Sequence, residues 1–398
     1  MRIAITNPTT WPWVRRGGER FINELARYLA GRGHQATIIS GKPGSRQVIR
    51  ADGYTTVCHR RLWHPSLARI GLLEFHAFFL PCLLSLIRRR YDVVLCCTFL
   101  DTYAATLARK WTGTACVFWV NSLPPPVRYV RSLSLGGAVF RRAMRDADEV
   151  VALSGYMQEQ LVRKFGRPGV RIPVPVDTDT FRPEGERDHR RPVILCAAAL
   201  DDRRKGGHFL MRGFDRLKQV RPEVVLELAS PVTERTKAEL LELVSPQWRG
   251  DVRFRAALPE NLPRAFGRAA VSVLPSLWED FGMVVLESMA TGTPVVGTRD
   301  GALPELIGDD GIGRLFDSGP VVSAAPTNVA GLVQALLETL HLSQRPETAG
   351  RCRAHAERFS WRVVGPAFEA LMGRLDHGHR LRSSRREMDA PTYPGASP

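Results

Sequence analysis

Two acids carry the most suggestive chemistry in this chain of 398 residues: Glu279 and Glu287, eight positions apart. Glu279 lies within Pro275-Ser276-Leu277-Trp278-Glu279-Asp280-Phe281-Gly282, and Glu287 is followed by Thr291-Gly292-Thr293-Pro294-Val295-Val296. The preceding Ala270–Leu274 reads as a buried strand and Phe281–Ala290 as a helix. One carboxylate is therefore expected on the strand-to-helix loop and the other about two turns along the helix. The helix N-terminus between them offers free N–H groups and the positive end of a dipole to an anion. Carboxylates beside an anion site suit a ligand with both phosphates and vicinal hydroxyls, such as a sugar nucleotide. Two acids at this spacing are usually a solvated helix face. The intervening Phe-Gly and the following Met-Ala and Gly-Thr-Pro argue against that reading.

Further groups with chemical potential lie on loops. Asp201-Asp202-Arg203-Arg204-Lys205-Gly206-Gly207 follows a strand-like run, and cations at a strand's carboxyl end can neutralise a diphosphate. Arg15-Arg16-Gly17-Gly18-Glu19-Arg20 follows the first strand, and its glycines permit a tight turn and close backbone approach to a ligand. Trp11 and Trp13 on that loop suit sugar stacking and plain packing equally. Asn121 ends the run Trp119-Val120-Asn121-Ser122 and offers no titratable group for acid–base work.

Positioning these groups requires two halves of alternating strands and helices. In the first half, Arg2–Thr6, Ala36–Ser40, Asp92–Cys97, Ala115–Val120 and Glu149–Leu153 read as strands, with helical patterns at Glu19–Ala30 and Leu72–Ile87. A variable stretch lies between Ser40 and Leu72. A polar, proline-containing run from Phe181 to Pro192 reads as a linker. The pattern restarts with strands at Val193–Ala199, Val224–Leu228 and Val252–Phe254, and helices at His208–Val220 and Lys237–Val244. Such alternation predicts βαβ units, a parallel sheet covered on both faces, and ligands at the strands' carboxyl ends.

The string P-S-x-x-E-x-F-G-x-x-x-x-E-x-M-A-x-G-T-P-V-V from Pro275 to Val296 resembles the motif of the family-4 retaining glycosyltransferases, which have the GT-B fold. The resemblance covers roughly residues 1–375. It implies an α/β architecture of two Rossmann-like, doubly wound domains facing across a cleft. The expected divisions are an acceptor-side domain at 1–185, a nucleotide-sugar domain at 186–355, a helix crossing back at 356–375, and a disordered basic tail at 376–398.

By resemblance, Glu287 holds the nucleotide ribose and Glu279 faces the donor sugar as the catalytic residue. Lys205 and Arg204 take the donor phosphates, while Phe281, Gly282 and Met283 complete the donor site. Gly18 reaches the donor, and Gly17 and Asn121 face the acceptor. Arg299–Glu305 looks like the family's G-G-x-P-E loop, with Glu305 expected to cap the next helix. His34, in an R-G-H turn, and Ile172–Asp177 match structural turns. There are departures. Ala199 stands where the family commonly has a phosphate-binding Arg, and Asn121 where many members have a histidine. The family implies no metal and no cofactor beyond the nucleotide-diphosphate sugar itself. Retaining members use the donor's leaving phosphate oxygen to deprotonate the acceptor. The two departures leave open a GT-B protein that binds sugar nucleotides without turning them over.

Composition narrows the partners. Net charge is +16, and residues 1–185 hold 27 Lys and Arg against 13 Asp and Glu, whereas the remainder holds 29 against 27. An excess confined to one half predicts an anionic partner on the acceptor side. The leading reading is a hexosyltransferase using a UDP- or GDP-sugar on a glycan or lipid-linked acceptor, at an anionic membrane surface, as in polysaccharide biosynthesis. Aromatic and basic residues are not interleaved as in RNA-binding modules, so nucleic acid is not an expected partner. No apolar run is long enough to span a bilayer, and no signal-peptide pattern opens the chain, which predicts a cytoplasmic protein peripheral on the inner face of the membrane. The seven cysteines form no C-x-x-C pair and read as reduced core residues.

Overall fold

A computed structural model describes residues 1–60, 73–123, 135–185, 187–255, 259–308, 311–320 and 327–388. The chain divides into two compact units. The first comprises Met1–Ala152, Gln158–Ile172 and the chain from Gly365. The second comprises Leu153–Met157 and Pro173–Val364.

The first unit is built on β1 (Arg2–Thr6), β2 (Gln35–Lys42), β3 (Gln47–Ala51), β4 (Tyr54–Arg60), β5 (Val93–Cys96), β6 (Ala115–Trp119), β7 (Glu149–Ala152) and β8 (Val170–Arg171). Their order is β3-β4-β2-β1-β5-β6-β7-β8, parallel except for β3. The helices are α1 (Gly17–Gly31), α2 (Leu73–Arg88), α3 (Phe99–Thr112), α4 (Leu135–Asp146) and α5 (Gly155–Phe165). The β3–β4 hairpin falls in the stretch that the sequence left as variable. Its outer strand, Gln-Val-Ile-Arg-Ala, is exposed at four of its five positions, a weak signal beside the all-apolar central strands.

β5 and β6 are buried at every position, as parallel strands covered on both faces must be. Trp119 stacks on Phe21 of α1 with ring centroids 4.5 Å apart. All seven cysteines are free and buried, and burial pushes the thiols of Cys82, Cys96 and Cys97 well above their ordinary range. They pack as small hydrophobes, matching the sequence expectation.

The second unit carries β9 (Val193–Cys196), β10 (Val225–Leu228), β11 (Val252–Phe254), β12 (Val271–Leu274), β13 (Val295–Thr298) and β14 (Gly313–Phe316). They run parallel in the order β11-β10-β9-β12-β13-β14. Its helices are α6 (Gly207–Lys218), α7 (Glu234–Leu241), α8 (Leu262–Arg268), α9 (Met283–Ala290), α10 (Leu303–Leu306), α11 (Val329–Leu342) and α12 (Pro346–Glu357). Inside it, Lys218 is fully buried. Its ammonium bonds to the carbonyls of Pro222 and Val224 (2.9 Å for the latter) and to Asp251 at 2.8 Å, and it lies over the Trp248 ring.

The last helix, α13 (Trp361–Met388), belongs to the first unit from Gly365 onward. Gly365 lets α13 approach α1 closely, since a Cβ there would sit 2.5 Å from the Tyr28 ring. Phe368 meets Phe21 at 5.6 Å, and Glu369 binds Arg32 (3.1 Å) and His34 (3.0 Å), which gives His34 the structural role expected of it. The expected disordered tail at 376–398 is described only in part. The helix continues through Asp376 to Met388, and residues 389–398 lie outside the described residues.

Candidate functional site

In an open parallel sheet, ligands bind beyond the carboxyl ends of the strands where the strand order reverses. In the second unit that point lies between β9 and β12, with β10 on the far side of β9. The loops leaving β9 and β12 are the ones that carry Lys205 and Glu279.

The loop after β9 folds into a single 3₁₀ turn, Arg203–Lys205. Asp202 caps it by accepting from the Arg204 N–H at 3.0 Å, and Gly206 closes it at φ 73°. Glycine is required at 206, because a Cβ there would lie 2.3 Å from the Pro275 carbonyl oxygen on the loop after β12. The two loops are tied further by the Leu277 N–H, which donates to the Arg204 carbonyl at 2.9 Å. That close packing brings Lys205 Nζ to 2.7 Å from Glu279 Oε2, with the side chains 26% and 14% exposed.

A third loop, after β13, braces Glu279. Asp300 accepts from the Trp278 N–H at 3.2 Å and from the Gly301 N–H at 2.7 Å, and the Ala302 N–H donates to the Glu279 carbonyl at 2.8 Å. Trp278 sits at φ 53°, a left-handed conformation uncommon for a bulky residue, and the Asp300 bond helps hold it there. Gly301 packs so tightly on the Glu279 backbone that a Cβ would lie 2.3 Å from its carbonyl oxygen.

The helix expected from Phe281 begins at Met283 instead. Phe281 is buried, and Gly282, at φ 99°, caps α9 without a side-chain partner. Glu287, on the second turn of α9, is buried at 3% exposure.

Arg204 and Glu305 each have partners within the chain that the sequence did not show. Arg204 turns back onto Asp202, its Nη2 2.7 Å from Oδ2 and its Nε 3.3 Å from Oδ1, because the tight turn places the two side chains together. Glu305 does not cap the helix that follows it. It lies within α10 and accepts from the N–H groups of Gly155 (2.8 Å) and Tyr156 (2.6 Å), the start of α5, which belongs to the second unit. Beside it, Ser154 Oγ donates to the Asp280 carbonyl at 2.9 Å. The Tyr156 phenol is pushed up to about 12 by burial, aided by the charges of Asp300 and Asp280, so it is a neutral donor.

Gly17, Gly18 and Asn121 lie in the first unit. The two glycines open α1 rather than forming a left-handed turn, since neither has positive φ. A Cβ on Gly18 would meet no atom within 4 Å, so the chain's own packing does not demand glycine there. Asn121 is exposed just beyond β6. Trp11 and Trp13 are not buried, and each lies near a cation, Arg15 and Lys42 respectively.

One ionisable group escaped the sequence reading. Asp101, 1% exposed, forms a capping box with Thr98 at the start of α3 and accepts from Thr6 Oγ at 3.0 Å. Its carboxyl is pushed up to about 7 by burial, against the pull of hydrogen bonds from Thr6 and neighbouring backbone N–H groups. The Thr98-x-x-Asp101 spacing could have signalled the cap; the burial could not be read from it.

Residues 15–180 match the model of Glycosyltransferase Family 4 and residues 191–341 that of Glycosyl transferases group 1. Among relatives, MMP α-(1→4)-mannosyltransferase of Mycolicibacterium hassiacum is 30% identical over 56% of this chain and 53% of its own length. The chain thus spans about half of that relative. A GDP-mannose-dependent α-(1-6)-phosphatidylinositol monomannoside mannosyltransferase of Mycolicibacterium smegmatis is 28% identical over 61% of this chain and 67% of its own. Among solved structures, sucrose-phosphate synthase from Thermosynechococcus elongatus superposes with a TM-score of 0.76 at 20% identity, covering 95% of this chain and 99% of that one. With two doubly wound units and both halves matched, the chain belongs to the family-4, group 1 glycosyltransferases of GT-B fold.

Proposed function

We propose that this protein transfers a hexosyl group, with retention of anomeric configuration, from a nucleoside-diphosphate sugar to a glycan or lipid-linked acceptor. The observation that carries the reading is the Lys205–Glu279 pair at the switch point of the second sheet, next to the Gly282-capped start of α9. Lys205 and the α9 N–H groups take the diphosphate, where a developing negative charge on the leaving group is stabilised most. Glu287 binds the ribose hydroxyls and Glu279 orients the donor sugar. Arg204, held by Asp202, lends charge to the phosphates without presenting its fork to them. Asn121 has no proton to exchange near neutral pH, so the leaving phosphate oxygen accepts the acceptor's proton. Catalysis then works mainly by positioning.

The test is isothermal calorimetry and transfer with a panel of UDP- and GDP-sugars on wild type and Glu287→Ala. The variant is expected to lose at least about tenfold in nucleotide affinity. Unchanged affinity removes the ribose assignment. Nucleotide binding without turnover on any acceptor extract instead makes the protein a binding member of the family, the reading that Asn121 and Ala199 leave open.

A further inference from the structure

The outer face of α2 breaks the usual pattern of a surface helix. Its exposed positions are His76, Leu80, Leu84 and Arg88, four apart and so on one face. Leu80 is 58% and Leu84 38% exposed, with Ala77, Pro81, Leu83 and Ile87 partly exposed beside them. A surface helix ordinarily turns charge outward, yet no charged residue stands between His76 and Arg88. The inward side is already used. Phe78, Cys82 and Leu86 are buried, Phe79 stacks on Tyr103 of α3 at 5.9 Å, and Ser85 bonds to His59 at 2.7 Å. The apolar outer stripe is therefore not what holds the helix in place.

The stripe ends in Arg88, Arg89 and Arg90, all exposed. Both α2 and α3 return between parallel strands, so they run in the same direction. From the Phe79–Tyr103 contact, eight residues further along each helix come Ile87 and Trp111. Trp111 is 64% exposed and follows Lys110. Exposed apolar side chains, a tryptophan and a block of cations thus gather at one end of the helix pair. That combination matches an anionic lipid leaflet, where aliphatic side chains enter the acyl boundary and arginines meet lipid phosphates. Among the described residues no helix is long and apolar enough to cross a membrane, so the contact is one of lying on the surface.

We propose that the outer face of α2, with Arg88–Arg90 and Trp111, seats this protein on an anionic bilayer. The inference deepens the reading of a lipid-linked acceptor and rests on it for its purpose, but its test does not require turnover. The full chain is floated with phosphatidylcholine vesicles with or without about 30 mol % phosphatidylglycerol. Wild type is expected to float with the anionic vesicles and to be released by high salt. Leu80→Glu/Leu84→Glu is expected to lose about tenfold or more in partitioning, and Arg88→Gln/Arg89→Gln/Arg90→Gln to lose the preference for phosphatidylglycerol. Leu80→Ser/Leu84→Ser serves if the glutamates disturb folding, which circular dichroism melting reports.

Flotation of either leucine variant like wild type overturns the proposal, as does failure of wild type to float. So does a wild-type dimer that these substitutions split, since a second copy would then cover the face. Sugar-nucleotide hydrolysis, run in parallel without vesicles, separates the two readings. Its loss with vesicle binding intact removes the transferase function alone, and the converse removes the docking face alone.

Discussion

Gly301→Ala tests whether the close packing of the loops after β12 and β13 positions Glu279. Gly301 has φ 60°, and an alanine Cβ would lie 2.3 Å from the Glu279 carbonyl oxygen and 2.6 Å from its nitrogen. Ordinary contact needs about 3.4 Å, so the Glu279 backbone must retreat by about 1 Å. A displacement of about 1 Å in a positioning group costs on the order of a hundredfold in turnover. The left-handed backbone itself costs about 1–2 kcal/mol with any β-carbon. Gly113→Ala provides the control, because Gly113 has φ 67° and a Cβ there meets nothing within 4 Å. Gly113→Ala should melt a few degrees below wild type by the backbone penalty alone, and Gly301→Ala by that penalty plus the cost of the overlap. Only Gly301→Ala should lose about a hundredfold in kcat for donor hydrolysis or transfer, with nucleotide affinity reduced far less. Equal activity in the two variants would refute the positioning role of the Gly301 contact.

Other outcomes follow from the same geometry. Lys205→Ala should weaken nucleoside-diphosphate binding about tenfold or more while leaving nucleoside binding unchanged, and calorimetry with the two ligands checks it. Asp101 retains its proton up to about pH 7 in the folded chain, against 3.8 for an ordinary aspartate. Its stability contribution is therefore full below pH 3.8 and is lost as pH rises to about 7, a change on the order of 4 kcal/mol. Asp101→Asn should flatten the pH dependence of chemical unfolding across that window, and an unaltered slope would contradict the burial argument. Lys218→Met should lower the denaturant midpoint by about 3 kcal/mol of stability without changing the slope, because two carbonyls and Asp251 lose a buried donor.

Much of this site could be read in one dimension because its chemistry is compressed. Glu279, Phe281, Gly282, Met283 and Glu287 lie on one strand-to-helix unit, and alternation of strand and helix patterns announces two parallel sheets. What escapes a linear reading depends on contacts between distant segments. The Lys205–Glu279 bond exists because β12, three strands later in the chain, lies beside β9, and strand order leaves no local trace. Gly301 looks like any loop glycine until the Glu279 backbone is placed against it. Glu305 looks like the cap of its own short helix, yet Gly155 and Tyr156 claim its carboxylate.

By itself, the sequence determined the family, the fold class and the loops that carry the candidate donor-site residues, since these follow from local periodicity and residue type. Only the tertiary structure decided which charges meet. It gave Lys205 to Glu279 and Arg204 to Asp202, buried Asp101 enough to keep its proton near neutral pH, and left the apolar stripe of α2 facing outward. The physical reason is that pairing and burial depend on three-dimensional distance, to which the spacing of residues along a chain is a poor guide.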